Sequence, residues 1–245
     1  MAGASPSATG STPTSPPPRR GSVLDPTLSV LPAGASALPL IHAVTSDEIV
    51  SRADFIDVAC AVMAVLGARG ALHLRAGRVT AARLQTLSEG LEAAQAITGA
   101  WLVINDRVDL ALAARARGAQ LTSRSLRVAD ARRAAPRLAL GASVHSLAEA
   151  RAAAAEGADW VVAGHVFATA THPGAPERGI PFVKSLAAEA GVPVIAIGGV
   201  KPEHSGVLRD AGVHGVAVIR GIWDAANAEQ AASDYLSAYD IAPGS

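Results

Sequence analysis

Two kinds of stretch follow one another along this chain: short, continuous apolar runs, and longer alanine-rich segments whose apolar positions recur at helical spacing. The sharpest runs are Pro193 to Ile197, closed by Gly198 and Gly199, and Gly215 to Ile219, closed by Arg220 and Gly221. Between them, residues 201–212 read as a helix, with Pro202 near its start and Gly212 at its end. Continuous apolar runs joined by a helix predict parallel strands buried on both faces. Upstream, the same succession predicts strands over 40–45, 71–75, 101–105, 119–122, 138–144 and 159–166. Helices are expected after them over 47–68, 80–97, 107–117, 128–135, 147–156 and 181–190, with a last helix over 225–239.

Eight such units predict an α/β fold, a (β/α)8 TIM barrel that forms a single domain over residues 38–240. A doubly wound open sheet is the alternative, because strand spacing alone does not establish closure. Residues 1–37 are rich in Ala, Ser, Thr, Pro and Gly. Such a segment buries too little apolar area to offset its ordering entropy, so a disordered tail is expected there. Arg20 is followed by Gly21 and Ser22 rather than by an apolar stretch, so the tail does not read as a secretory signal.

Charge and cysteine content narrow the function classes. The 21 Lys and Arg balance the 21 Asp and Glu, which leaves no electrostatic footprint for nucleic acid or an anionic membrane. A single cysteine, Cys60, excludes an internal disulfide and a cysteine metal cluster, and its place on the first helix's apolar face reads as core. No apolar run reaches the length of a membrane span. A cytoplasmic protein with no nucleic-acid or membrane partner is expected, and homo-oligomer formation is left open.

In a barrel of this kind the chemistry sits where the strands end at their carboxyl side, and the loops after strands seven and eight commonly hold a phosphate. Gly199 and the Ile219-Arg220 segment are therefore the expected phosphate site, with backbone N–H groups as donors. A side chain at Gly199 is expected to exclude the phosphate while the fold persists. Strand five ends at Ser143, Val144, His145 and Ser146. His145 stands where barrels do chemistry and can give and take protons near neutral pH; its alternative is a cap on the following helix. Thr169 and Thr171, after strand six, offer hydroxyl and backbone donors to an anion. His165 reads equally as packing or ligand contact, and His172 equally as solvated or functional. Strand three ends at Asn105 and Asp106; Asn105 joins the binding set, and Asp106 has a helix N-cap as its alternative. His73 and Arg75 share one face of strand two, and Arg75 can be a fixed cation for a carboxylate or phosphate or else lie buried beside an acid.

Asn105-Asp106-Arg107-Val108-Asp109, Ser143-Val144-His145-Ser146, Gly164-His165-Val166-Phe167, Ile197-Gly198-Gly199 and Val216-Ala217-Val218 together resemble the thiamine phosphate synthase/TenI superfamily over about residues 40–223. The resemblance implies a (β/α)8 barrel acting in thiamine biosynthesis. Its synthase branch joins a pyrimidine diphosphate to a thiazole phosphate with magnesium, using a Gln-x-Arg-x-Lys signature after strand two, an aspartate after strand four and Thr-x-Thr-Lys after strand six. This chain has His73-Leu74-Arg75-Ala76-Gly77, Thr122-Ser123-Arg124-Ser125 and Thr169-Ala170-Thr171-His172 at those places. The resemblance to the TenI branch is fuller. It implies a thiazole tautomerase in which His145 moves a proton on a phosphorylated thiazole carboxylate, with no metal or other cofactor. Arg75 would hold the carboxylate. A synthase, or a regulator that binds the thiazole phosphate without turnover, is the alternative.

Overall fold

A computed structural model describes residues 1, 3, 37–169, 174 and 176–240. The tail expected over residues 1–37 lies outside them, apart from residues 1, 3 and 37. Eight parallel strands form the wall: β1 (Ile41–Val44), β2 (Gly70–Leu74), β3 (Trp101–Asn105), β4 (Gly118–Leu121), β5 (Ala139–Val144), β6 (Trp160–Gly164), β7 (Val194–Ile197) and β8 (Gly215–Val218). They pair in sequence order, and β1 returns to β8 with Ile41 opposite Val216 and Ala43 opposite Val218. The sheet is closed, which rules out the open doubly wound alternative.

The helices α1 (Asp47–Val50), α2 (Phe55–Leu66), α3 (Ala81–Thr98), α4 (Val108–Ala113), α5 (Val128–Ala134), α6 (Leu147–Ala155), α7 (Gly179–Glu189), α8 (Ser205–Asp210), α9 (Arg220–Trp223) and α10 (Ala228–Asp240) surround the wall. Local signals set their ends: Thr80 caps α3 by accepting from the N–H of Arg83 at 3.2 Å, and left-handed Gly99 closes it. The single helix expected over 47–68 is broken. Residues 51–54 leave the helix, and Arg52 reaches across to the carbonyl of Trp223 and, at 2.9 Å, to Asp224. That contact ties α1 to α9, a one-turn helix absent from the expectation. The helix expected over 201–212 is likewise a 3-10 turn at Pro202–His204 followed by α8.

Two apolar layers result. The outer one lies between wall and helices; the inner one fills the barrel with Val44, Ala71, Trp101, Val103, Trp160, Val162, Ile195 and Ala217. The inner layer follows the period-two alternation of strands, so every second residue points inward. Trp160 is fully buried at its centre. The barrel is therefore a packed core below and can be open only above, at the carboxyl ends of the strands.

Candidate active site

Those strand ends surround a cavity of about 860 Å³. Among the residues singled out by sequence, Arg75, Asn105, His145, Thr169, Gly199, Ile219 and Arg220 all line it, as does His165. Thr171 and His172 lie outside the described residues. Each lining residue is held by its element. Arg75 follows β2, and the Thr45 hydroxyl fixes its backbone twice, accepting from its N–H at 2.8 Å and donating to its carbonyl at 2.9 Å.

His145 follows β5 and leaves the capping of α6 to Ser146, whose hydroxyl accepts from the N–H of Glu149 at 3.1 Å. Glu149 in return accepts from the backbone N–H of His145 at 2.8 Å and lies 3.4 Å from its Nδ1. Partial burial pushes the Glu149 carboxyl up, but the hydrogen bonds from His145 and Ser146 outweigh it and hold the group below the usual carboxylate range. An ionised carboxylate can only accept, so it favours the imidazole tautomer with hydrogen on Nδ1 and leaves Nε2 as the base. Sequence reasoning missed Glu149, although Ser146 to Glu149 has the Ser-x-x-Glu spacing of a capping box. Arg178 Nη1 donates to the carbonyl of His145, which binds the segment after β6 to the same corner.

Across the mouth, the β7 glycines adopt the left-handed region, with φ of 98° at Gly198 and 64° at Gly199. A Cβ at Gly199 would collide with the carbonyl oxygen of Ala168 and the backbone of Phe167. Substitution there would displace the β6 loop as well as a ligand, contrary to the expectation that the fold would be untouched. Next to this loop, the N–H groups of Arg220 and Gly221 open α9 and have no partner within the helix. The Tyr235 hydroxyl donates to the carbonyl of Val200 at 2.9 Å and braces the loop.

Among the described residues, the lining carries Arg75, Arg124, Arg178, Lys201 and Arg220 and no aspartate or glutamate. Arg124, Arg178 and Lys201 were not anticipated, because each sits in a loop whose direction only the fold determines. Asp106, adjacent to Asn105, does not cap α4; Arg107 takes that position. Its φ is 61°, and its Oδ1 accepts from Thr122 N–H at 3.1 Å, from the Thr122 hydroxyl at 2.6 Å and from the Ser125 hydroxyl. The magnesium that the synthase branch implies does not fit these donors. Asp106 Oδ1 is taken by three protein groups, the β4 loop adds no carboxylate, and no three His, Cys, Asp or Glu converge among the described residues.

At the cavity floor, which His73, Gln120 and Ser143 line, two polar chains cross the barrel interior. Trp160 Nε1 donates to Gln120 Oε1 at 3.0 Å, and Gln120 Nε2 donates to the Ser143 hydroxyl at 3.1 Å. His42 Nε2 lies 3.0 Å from the Pro39 carbonyl and its Nδ1 lies 2.8 Å from His73 Nε2. Burial pushes both imidazoles down, His42 to about 4 and His73 well below its ordinary value, where the like partner His42 lowers it further. Both rings are thus neutral when folded and take up protons on unfolding below about pH 6.5. The stability they contribute is complete above that pH and falls as pH drops towards 4. The urea-unfolding free energy is expected to be lower at pH 5 than at pH 7.5 by about 2 kcal/mol from His42 alone. A flat profile over that range would contradict the buried neutral pair.

The sequence profile of TMP-TENI, thiamine monophosphate synthase, matches residues 41–222. The chain belongs to this family. A thiamine-phosphate synthase of Methanoculleus marisnigri is 35% identical over 181 residues, 73% of this chain and 85% of that protein. The bifunctional ThiM/ThiE thiamine biosynthesis protein of Symbiobacterium thermophilum is 38% identical over 220 residues, 87% of this chain, which spans only 45% of that longer protein. Among solved structures, the thiamine phosphate pyrophosphorylase of Pyrococcus furiosus superposes with a TM-score of 0.71 at 29% identity, covering 82% of this chain and 95% of the other. A 3-hexulose-6-phosphate synthase, at 17% identity and a TM-score of 0.60, shares the TMP-TENI barrel as a fold alone. The Methanoculleus protein carries the synthase name, and these relatives do not separate the two branches of the family.

Proposed function

We propose that this TMP-TENI chain is a thiazole tautomerase, isomerising a phosphorylated thiazole carboxylate to its aromatic form. The observation that carries this reading is the pairing of His145 with Glu149 at the rim of a cavity lined by five cations and no carboxylate. Such a cavity suits a ligand with more than one anionic group. The phosphate lies at Gly199 and the Ile219-Arg220 segment, with Thr169 beside it. His145 Nε2 removes a proton from a ring carbon, the double bonds shift, and the imidazolium returns a proton at the far end of the conjugated system. One proton leaves and one returns, so no redox partner or leaving group is involved. Arg75 holds the carboxylate and Asn105 borders the ring.

The relatives' printed names favour a second reading, thiamine phosphate synthesis from a pyrimidine diphosphate and a thiazole phosphate. The set of donors around Asp106 weighs against it. Proton NMR of turnover separates the two. With the purified chain, the non-aromatic thiazole should convert to its aromatic isomer at a rate unchanged by EDTA. Condensation of the two synthase substrates, lost on chelation and restored by Mg²⁺, would replace the tautomerase reading; binding without either reaction would make the chain a regulator.

A further inference from the structure

The Asp106 corner does more than fill space. A non-glycine residue in the left-handed region is strained by about 1–3 kcal/mol, so surrounding contacts must hold it there. At Asp106 they do: its backbone N–H donates to Gln120 at 2.9 Å, and its carboxylate gathers the Thr122 N–H, the Thr122 hydroxyl and the Ser125 hydroxyl. Ser125 also accepts from the N–H of Thr122 at 2.8 Å, which closes the four-residue loop on itself. The loop contributes Thr122, Ser123 and Arg124 to the cavity lining, and Arg124 is its cation. Its guanidinium has no acidic partner among the described residues, and neither has that of Arg75, the other cation on this side. In an eight-strand ring β3 stands opposite β7, so the β2–β4 side faces the glycine loop across the mouth. The cavity thus has two cationic poles, one at Arg75 and Arg124 and one at Lys201 and Arg220.

We propose that Arg124, aimed by the Asp106–Thr122–Ser125 lock, is a specificity-determining residue that shares the substrate carboxylate with Arg75 at the pole opposite the phosphate. The proposal rests on the reading of this cavity as a thiazole phosphate site. A guanidinium matches a carboxylate in two parallel hydrogen bonds, and in a cavity without competing acids that contact discriminates a ligand with the carboxylate from one without it.

The test is calorimetric binding of two aromatic probes, the thiazole phosphate with and without its ring carboxylate. Wild type should bind the carboxylated probe more tightly by about tenfold, one charge-assisted contact's worth. Arg124→Gln should cut that preference to about threefold, the remainder being held by Arg75, while the dissociation constant of the plain thiazole phosphate moves less than about threefold. Arg124 is exposed, so the variant should fold, and an unchanged melting temperature will confirm it. Ser125→Ala should reduce the preference in the same direction by less. Equal weakening of both probes, or a preference undiminished in Arg124→Gln, overturns the role of Arg124. A preference reduced in Arg124→Gln but untouched in Ser125→Ala overturns the lock. If wild type fails to bind even the plain thiazole phosphate, the functional reading falls and this inference with it.

Discussion

Replacing His145 with glutamine should lower kcat for the thiazole tautomer by at least about 10²-fold and leave KM within a few-fold, the usual size of a lost general acid–base group. The split follows from where His145 stands. The anionic ends of the substrate are held by the glycine loop and the arginines, which the substitution does not touch, so ground-state binding persists. Proton transfer falls to the imidazole that has a carboxylate beside it: Glu149 lies 3.4 Å from His145 Nδ1. Glu149→Gln keeps a hydrogen-bond partner but removes its charge, and should reduce kcat in the same direction by a smaller factor. His165 lines the same cavity and is the control. If His165→Gln abolishes turnover and His145→Gln does not, the proton-transfer role belongs to His165.

What could be read from sequence depended on whether a residue's role was local. Strands buried on both faces show as apolar runs, so β3 was expected at its observed limits and the others within about two residues. The breaks in the helices expected over 47–68 and 201–212 were invisible; in the first, Arg52 leaves its helix for a partner on α9, far along the chain. The same divide runs through the site. His145 and the glycine loop were found because their position at a strand end identifies them. Glu149 was legible in its capping-box spacing and was passed over. Arg124 was not legible at all: the loop after β4 was searched only for a carboxylate, and what turns its arginine into the cavity is a hydroxyl lock on a residue sixteen to nineteen positions away.

The largest effect on stability is expected at the barrel's centre. Trp160 is fully buried, packs edge-on against Trp101 at 6.4 Å between ring centroids, and donates its indole N–H to Gln120. Truncating such a residue costs about 3–5 kcal/mol through lost transfer energy and the void left behind. In a domain of this size that lowers the melting temperature by roughly 10 °C. Trp160→Phe keeps most of the ring and removes the donor, leaving Gln120 Oε1 buried without a partner, at about 1–3 kcal/mol. The loss reaches the site, because Gln120 loses the contact that fixes its amide. With that amide free to rotate, its bond to Ser143 on the cavity floor is no longer assured, and turnover should fall along with stability. Adding Gln120→Leu to Trp160→Phe removes the stranded acceptor and should recover part of the lost stability, since replacing both partners is far less costly than orphaning one. Turnover should not recover, because Ser143 still lacks its donor. A double variant that regained activity with stability would mean that the floor matters only as packing.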